Sequence, residues 1–96
     1  MIRIESRTYS ESASAQWPGP FSPSEWCDRT WMLEGEDVDL ASSQSVGWFL
    51  QTLLRSSWNN RASRTVAVQY RALREDGSEM HNIMQKWQGA KLGPRA

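Results

Sequence analysis

The feature that most constrains this 96-residue chain is a change of hydrophobic period halfway along it. Val46, Phe49, Leu50, Leu53, Leu54 and Trp58 fall at i, i+3, i+4, i+7, i+8 and i+12. At 3.6 residues per turn these positions make one apolar stripe, so the segment predicts an amphipathic helix. Asp39, Ser42 or Ser43 can cap its start. Asn59-Asn60 can end it, since asparagine tolerates the left-handed conformation that often closes a helix. From Arg64 to Arg74 the period drops to two. Val66, Val68, Tyr70 and Ala72 share one face; Thr65, Ala67, Gln69, Arg71 and Leu73 share the other. Asp76-Gly77 then signals a two-residue type I′ hairpin. That turn would pair Glu75 with Ser78, Leu73 with Met80, Arg71 with Asn82, Tyr70 with Ile83, Gln69 with Met84 and Val66 with Trp87.

The rest of the chain is read around this helix and hairpin. Residues 2–10 alternate and are rich in β-formers, which predicts a strand with Ile2, Ile4 and Ser6 inward. Residues 11–22 hold Pro18, Gly19 and Pro20 and cannot be regular. They nevertheless carry Trp17 and Phe21, so this loop is either pinned to the core or held out as a binding edge. Ser22-Pro23-Ser24-Glu25 reads as a helix start, with a capping serine and proline in the first turn. A short helix to about Arg29 would carry Trp26. Thr30–Leu33 reads as a short strand, and residues 34–39 as an acidic turn. The expected fold is α+β. A small antiparallel sheet of three or four strands carries one main amphipathic helix across one face, with a short extra helix. Residues 1–88 form a single domain in this reading, and residues 89–96 a disordered tail.

Composition removes whole classes of function. No uninterrupted apolar stretch exceeds three residues, far short of a membrane span. The N-terminus alternates charge and has no apolar signal core, and Cys27 is the only cysteine, so a cytoplasmic protein is expected. Phosphate-loop and nucleophile-elbow motifs are missing. One histidine and one cysteine do not make a zinc site, and no metal or cofactor is expected. Cys27 and His81 are the only thiol and imidazole. They read as a small cysteine and a strand-surface histidine rather than a catalytic pair. The expectation is a protein that is not an enzyme.

What remains is binding. The chain has six tryptophans, more than a core of this size needs, and tryptophan is enriched where binding energy concentrates. Trp58 is expected in the core, Trp87 over the sheet end, and Trp26 and Trp31 under the loop. Net charge is zero but divided. Residues 1–48 hold three basic and eight acidic groups, net −5, and residues 49–96 hold eight basic and three acidic groups, net +5. The leading expectation is a non-catalytic interaction module that contacts a protein or nucleoprotein. Trp17, Phe21 and Trp48 would be its apolar anchors, and Glu34, Glu36, Asp37 and Asp39 its acidic docking segment. In size and style, though not in any shared residues, such a chain is like the small proteins with which phage and mobile elements inhibit host machinery, anti-CRISPR proteins among them. An alternative is a single-stranded nucleic-acid binder using Arg61, Arg64, Tyr70, Arg71 and Arg74, by arginine contacts and aromatic stacking. Zero net charge weakens that alternative by removing long-range attraction to phosphate. A third reading is a structural subunit, monomer or homodimer, joined through an open sheet edge.

Overall fold

The computed structural model describes residues 1–93. Strand β1 is Arg3–Ser10, β2 is Cys27–Asp28, β3 is Thr65–Leu73 and β4 is Glu79–Lys86. They form one antiparallel sheet in the order β2-β1-β3-β4. Helix α1, Ser43–Asn59, lies over β3 and β4, and a single 3-10 turn, Thr30–Leu33, sits beside β1. This is the expected α+β architecture. The apolar stripe works as its spacing predicts: Val46, Leu50 and Leu54 are buried against Ile2, Ile4, Val68, Tyr70 and Ala72.

The helix begins where Ser42 accepts a hydrogen bond from the Ser45 N–H, 3.2 Å away. Its end departs from expectation. Asn60 has φ −110°, and among the described residues no non-glycine has positive φ, so no left-handed cap forms. The last carbonyls are met by the backbone N–H groups of Asn60 and Arg61, and side chains add to them. Asn60 Nδ2 donates to the Ser56 carbonyl at 2.9 Å, and Arg61 Nη1 to the Trp58 carbonyl at 2.7 Å.

The hairpin register holds along most of its length and fails at the tip. A type I′ turn needs positive φ at both central residues, and only Gly77, at +87°, has it. The Gly77 N–H closes a turn on the Arg74 carbonyl, with Glu75 and Asp76 at its centre. Leu73 therefore pairs with Glu79, and Met80 becomes the extra residue. From Ala72–His81 onward the pairing is as expected, through Arg71–Asn82, Tyr70–Ile83 and Gln69–Met84. The Trp87 N–H then reaches the Val66 carbonyl at 2.9 Å.

Residues 22–33 are where local signals mislead. The predicted helix start is extended chain lying along the free edge of β1. Pro23 bridges Tyr9, Cys27 pairs with Ser6, and Asp28 pairs with Glu5. The predicted strand at 30–33 is the 3-10 turn instead. Asp28 Oδ1 accepts from both the N–H and the Oγ1 of Thr30, at 2.9 and 2.6 Å, and this bends the chain out of the sheet. An unpaired strand edge offers several backbone hydrogen bonds, which outweigh one capping box.

The expected tail is in part structured. Phe21 N–H donates to the Lys91 carbonyl, Lys91 N–H to the Pro18 carbonyl, and Gly93 N–H to the Phe21 carbonyl. Phe21 and Leu92 form a parallel bridge, and Phe21, Ala90, Tyr9, Val66 and Ala67 make a second small core. Gly19 permits this contact. Its φ is +123°, and a Cβ there would lie 2.5 Å from the Lys91 carbonyl oxygen. Residues 94–96, the remainder of the predicted tail, lie outside the described residues.

Candidate functional site

The topology sorts charge by position along the strands. β1 runs away from Met1 and β3 returns, so Met1, the loop 34–39, the start of α1 and the hairpin tip 74–78 share one end. Glu34, Glu36, Asp37, Asp39, Glu75 and Asp76 gather there. The end of α1, residues 60–64 and Trp87 share the other end, with Arg61, Arg64, Lys86 and Lys91. The end near Met1 is thus the more acidic, although the Met1 ammonium, Arg3 and Arg74 share it, and the opposite end the more basic, although Glu11 lies there.

The anchors expected beside the acidic segment are distributed differently. Trp17 and Trp48 are exposed, at 57% and 69%, but neither adjoins the acidic loop. Trp48 stands on the flank of α1 beside β4, lining a shallow pocket with Gln51, Arg55, His81 and Ile83. Trp17 lies at the basic end, beside Glu11, Val66 and Trp87. Phe21 is not an anchor, because it is 1% exposed and central to the second core. Trp31, expected under the loop, is 59% exposed. It forms a shallow apolar pocket of about 420 Å³ with Met1, Leu33 and Leu40, and Glu34 on its rim. The tryptophan beside the acidic loop is therefore Trp31. The signal was there to read, since Trp31-Met32-Leu33 runs directly into the acidic segment. Asp39 has a structural task as well: its Oδ1 accepts from the Ala41 N–H at 3.1 Å, on the approach to α1.

The five residues of the nucleic-acid alternative do not converge. Tyr70 is buried on the helix side, its hydroxyl 2.6 Å from Ser57 Oγ. Arg71 is on the opposite face, paired with Glu5 at 2.6 Å. Arg74 is at the acidic hairpin tip, donating to the Glu79 carbonyl. Arg61 lies 3.8 Å from the centre of the Trp58 ring and 5.0 Å from that of Trp87. Arg64 is exposed nearby. Cys27 and His81 are no closer to forming a pair: they sit on the two outer strands, about 14 Å apart at the usual strand spacing. His81 Nε2 donates to the Ser43 carbonyl at 2.7 Å, which ties β4 to the start of α1. Among the described residues no cluster of His, Cys, Asp and Glu could hold a metal ion, and no helix is long and apolar enough to cross a membrane.

One feature was missed from the sequence. Because α1 covers β3 and β4, the helix-side face of β1 beyond Ile4 is roofed only by the 3-10 turn. A groove of about 580 Å³ opens there, between Trp31 and Met32 on one wall and Ser57 and Arg61 on the other. Its floor includes Ser6, Thr8 and Tyr70, and Arg29 reaches into it, Nε donating to Ser6 Oγ at 3.0 Å. The inward positions of β1 read Ile2, Ile4, Ser6, Thr8, Ser10. That switch from aliphatic to hydroxyl marks the point where the core stops and the groove begins.

With the fold and these surfaces in view, the molecule is a small α+β domain whose exposed tryptophans and arginines lie around a helix-on-sheet core. Comparison with protein-family models, curated proteins and solved structures finds no match for the chain.

Proposed function

We propose that this chain is a non-catalytic binding module that docks its acidic end onto a basic surface of another protein. The observation that carries the reading is the junction of an exposed apolar pocket, Met1, Trp31, Leu33 and Leu40, with the acidic loop 34–39. Glu34, Glu36 and Asp37 are exposed and make no ion pair among the described residues. Acidic groups around an apolar centre suit a partner with a basic rim and an apolar hollow: charge steers the encounter, and a buried aromatic supplies affinity. The action in this reading is occlusion of the partner's surface, the mode of small phage and mobile-element inhibitors. An exposed thiol at Cys27 with no second cysteine suits a reducing compartment such as the cytoplasm.

The test is affinity capture from a nuclease-treated lysate with three baits: the native chain, the Glu36→Lys/Asp37→Lys double variant, and Trp31→Ala. The expected result is a protein retained by the native chain and lost from both variants, whose circular dichroism stays unchanged. Equal retention by all three folded baits overturns the proposal.

A further inference from the structure

We propose that the groove between the 3-10 turn and the end of α1 binds a phosphate ester of the nucleotide class. Its phosphate would lie between Arg29 and Arg61, and its base against Trp31. Three observations support this, and the first two involve no residue of the acidic end; Trp31 alone is shared with it.

First, the groove brings together two arginines from distant parts of the chain, and no carboxylate lines it. Neither guanidinium makes an ion pair among the described residues. Arg29 donates once, from Nε to Ser6 Oγ, and Arg61 once, from Nη1 to the Trp58 carbonyl. Arginine has five N–H donors in a planar fork that matches phosphate oxygens, so most of the donors of both side chains remain for a ligand. Arg71 on the far face is the contrast, since Glu5 already occupies it.

Second, the floor is hydroxylic where a core would be aliphatic. Ser6 and Thr8 take the inward positions of β1 that Ile2 and Ile4 fill nearer Met1. Hydroxyls both donate and accept, so they can serve phosphate and sugar oxygens alike. Third, the size and the rim fit. About 580 Å³ is within the range of small-molecule sites and admits a mononucleotide. Exposed Trp31 gives the rim a flat plate, and stacking on such a plate tolerates any base. Arg61 is held in place by its stack on Trp58, which lowers the cost of ordering it around an anion.

The test is titration of the native chain with AMP, adenosine and inorganic phosphate, followed by calorimetry and by tryptophan fluorescence. AMP should bind more tightly than adenosine or phosphate alone, with quenching of fluorescence. Arg29→Gln removes a half-buried side chain whose one hydrogen bond goes to Ser6 and which makes no ion pair among the described residues; it should weaken AMP by at least about tenfold, the loss expected for one charged hydrogen bond. Trp31→Ala should weaken AMP and leave inorganic phosphate unchanged. Glu36→Lys/Asp37→Lys should not alter AMP binding, so failure of the groove and failure of acidic docking are read separately. Absence of saturable AMP binding up to about 10 mM, a free energy under about 3 kcal/mol, overturns the proposal, as does equal affinity in native chain and Arg29→Gln. Tighter binding of a short single-stranded oligonucleotide that survives Arg29→Gln would also overturn it, placing the contact elsewhere.

Discussion

On the helix side of the sheet, Ile4, Val68 and Ala72 are covered by Val46, Leu50 and Leu54. On the other side, among the described residues, no helix or strand lies over Glu5 and Gln69, yet each is only 6% exposed. What covers them is a raft of side chains. Arg71 Nε and Nη2 donate to Glu5 Oε1 at 2.8 and 2.6 Å. Arg7 Nε donates to Gln69 Oε1 at 2.7 Å, and Gln69 Nε2 to Asn82 Oδ1 at 2.6 Å. Trp26 closes the raft, with the Arg71 and Arg7 guanidinium carbons 3.9 and 4.2 Å from its ring centre. No buried side-chain nitrogen or oxygen lacks a partner among the described residues. The two faces thus differ in what they tolerate. The helix side is indifferent to the chemical detail of its aliphatic groups and sensitive to volume. The raft requires each donor to meet its acceptor.

The difference can be broken by substitution, most strongly on the helix side. Leu50→Ala should cost about 3 kcal/mol, the lost transfer energy plus a cavity, seen as a lower midpoint in urea or thermal unfolding. Leu50→Met keeps the volume and should cost under about 1.5 kcal/mol. On the raft the ordering changes. Glu5→Gln also keeps the volume, yet should cost about 2 kcal/mol, because Arg71 loses its counter-charge in a poorly hydrated site. That is below the cost at a fully buried pair, since the Arg71 side chain is a quarter exposed. If Glu5→Gln proves as mild as Leu50→Met, the contrast between the faces fails. Trp26→Ala should cost about 1–2 kcal/mol through its two cation–π contacts, and more when Arg7 and Arg71 are both intact than when either is alanine. Ser42→Ala, which leaves both faces alone, should cost about 1 kcal/mol by loss of the helix cap. The smallest effect belongs to exposed carboxylates. Thr30 and Ser78 hydrogen bonds hold Asp28 and Asp76 below their ordinary pKa of 3.8. Their contribution to stability is therefore present above that value and lost as pH falls through the lowered one. An NMR titration should show both carboxyls ionising below 3.8, the ordinary aspartate value.

The sheet, the helix and most of the hairpin register were legible because each rests on a repeated signal. Six apolar positions agree on α1, and the alternation of 65–73 sets which face turns inward, since a one-residue slip would turn Val68 and Tyr70 outward. The segment 22–33 was illegible for the opposite reason: a capping box is local, and the β1 edge that overrides it is about 20 residues away in sequence. Phe21 and Leu92 are similar, since neither has a partner within its own neighbourhood. The acidic end could be read from composition, and Trp31 from its place before residue 34. The groove could not, because it depends on where α1 stops covering β1, and helix placement across a sheet is not written in any single segment.

The pairing of β1 with β3 has a consequence for the order of assembly. Arg3 faces Leu73 and Ser10 faces Thr65 across the middle of the sheet, so β1's principal partner lies 55 to 70 residues further along the chain. Helix α1, β3 and β4 are consecutive and meet through short connections, which favours their early association. β1 leaves the ribosome ahead of all three and cannot be placed until β3 has followed it out. During that interval Ile2, Ile4 and Tyr9 are exposed on a bare strand with both edges open. The seven charged or hydroxyl-bearing residues among the eight of β1 keep that waiting segment soluble.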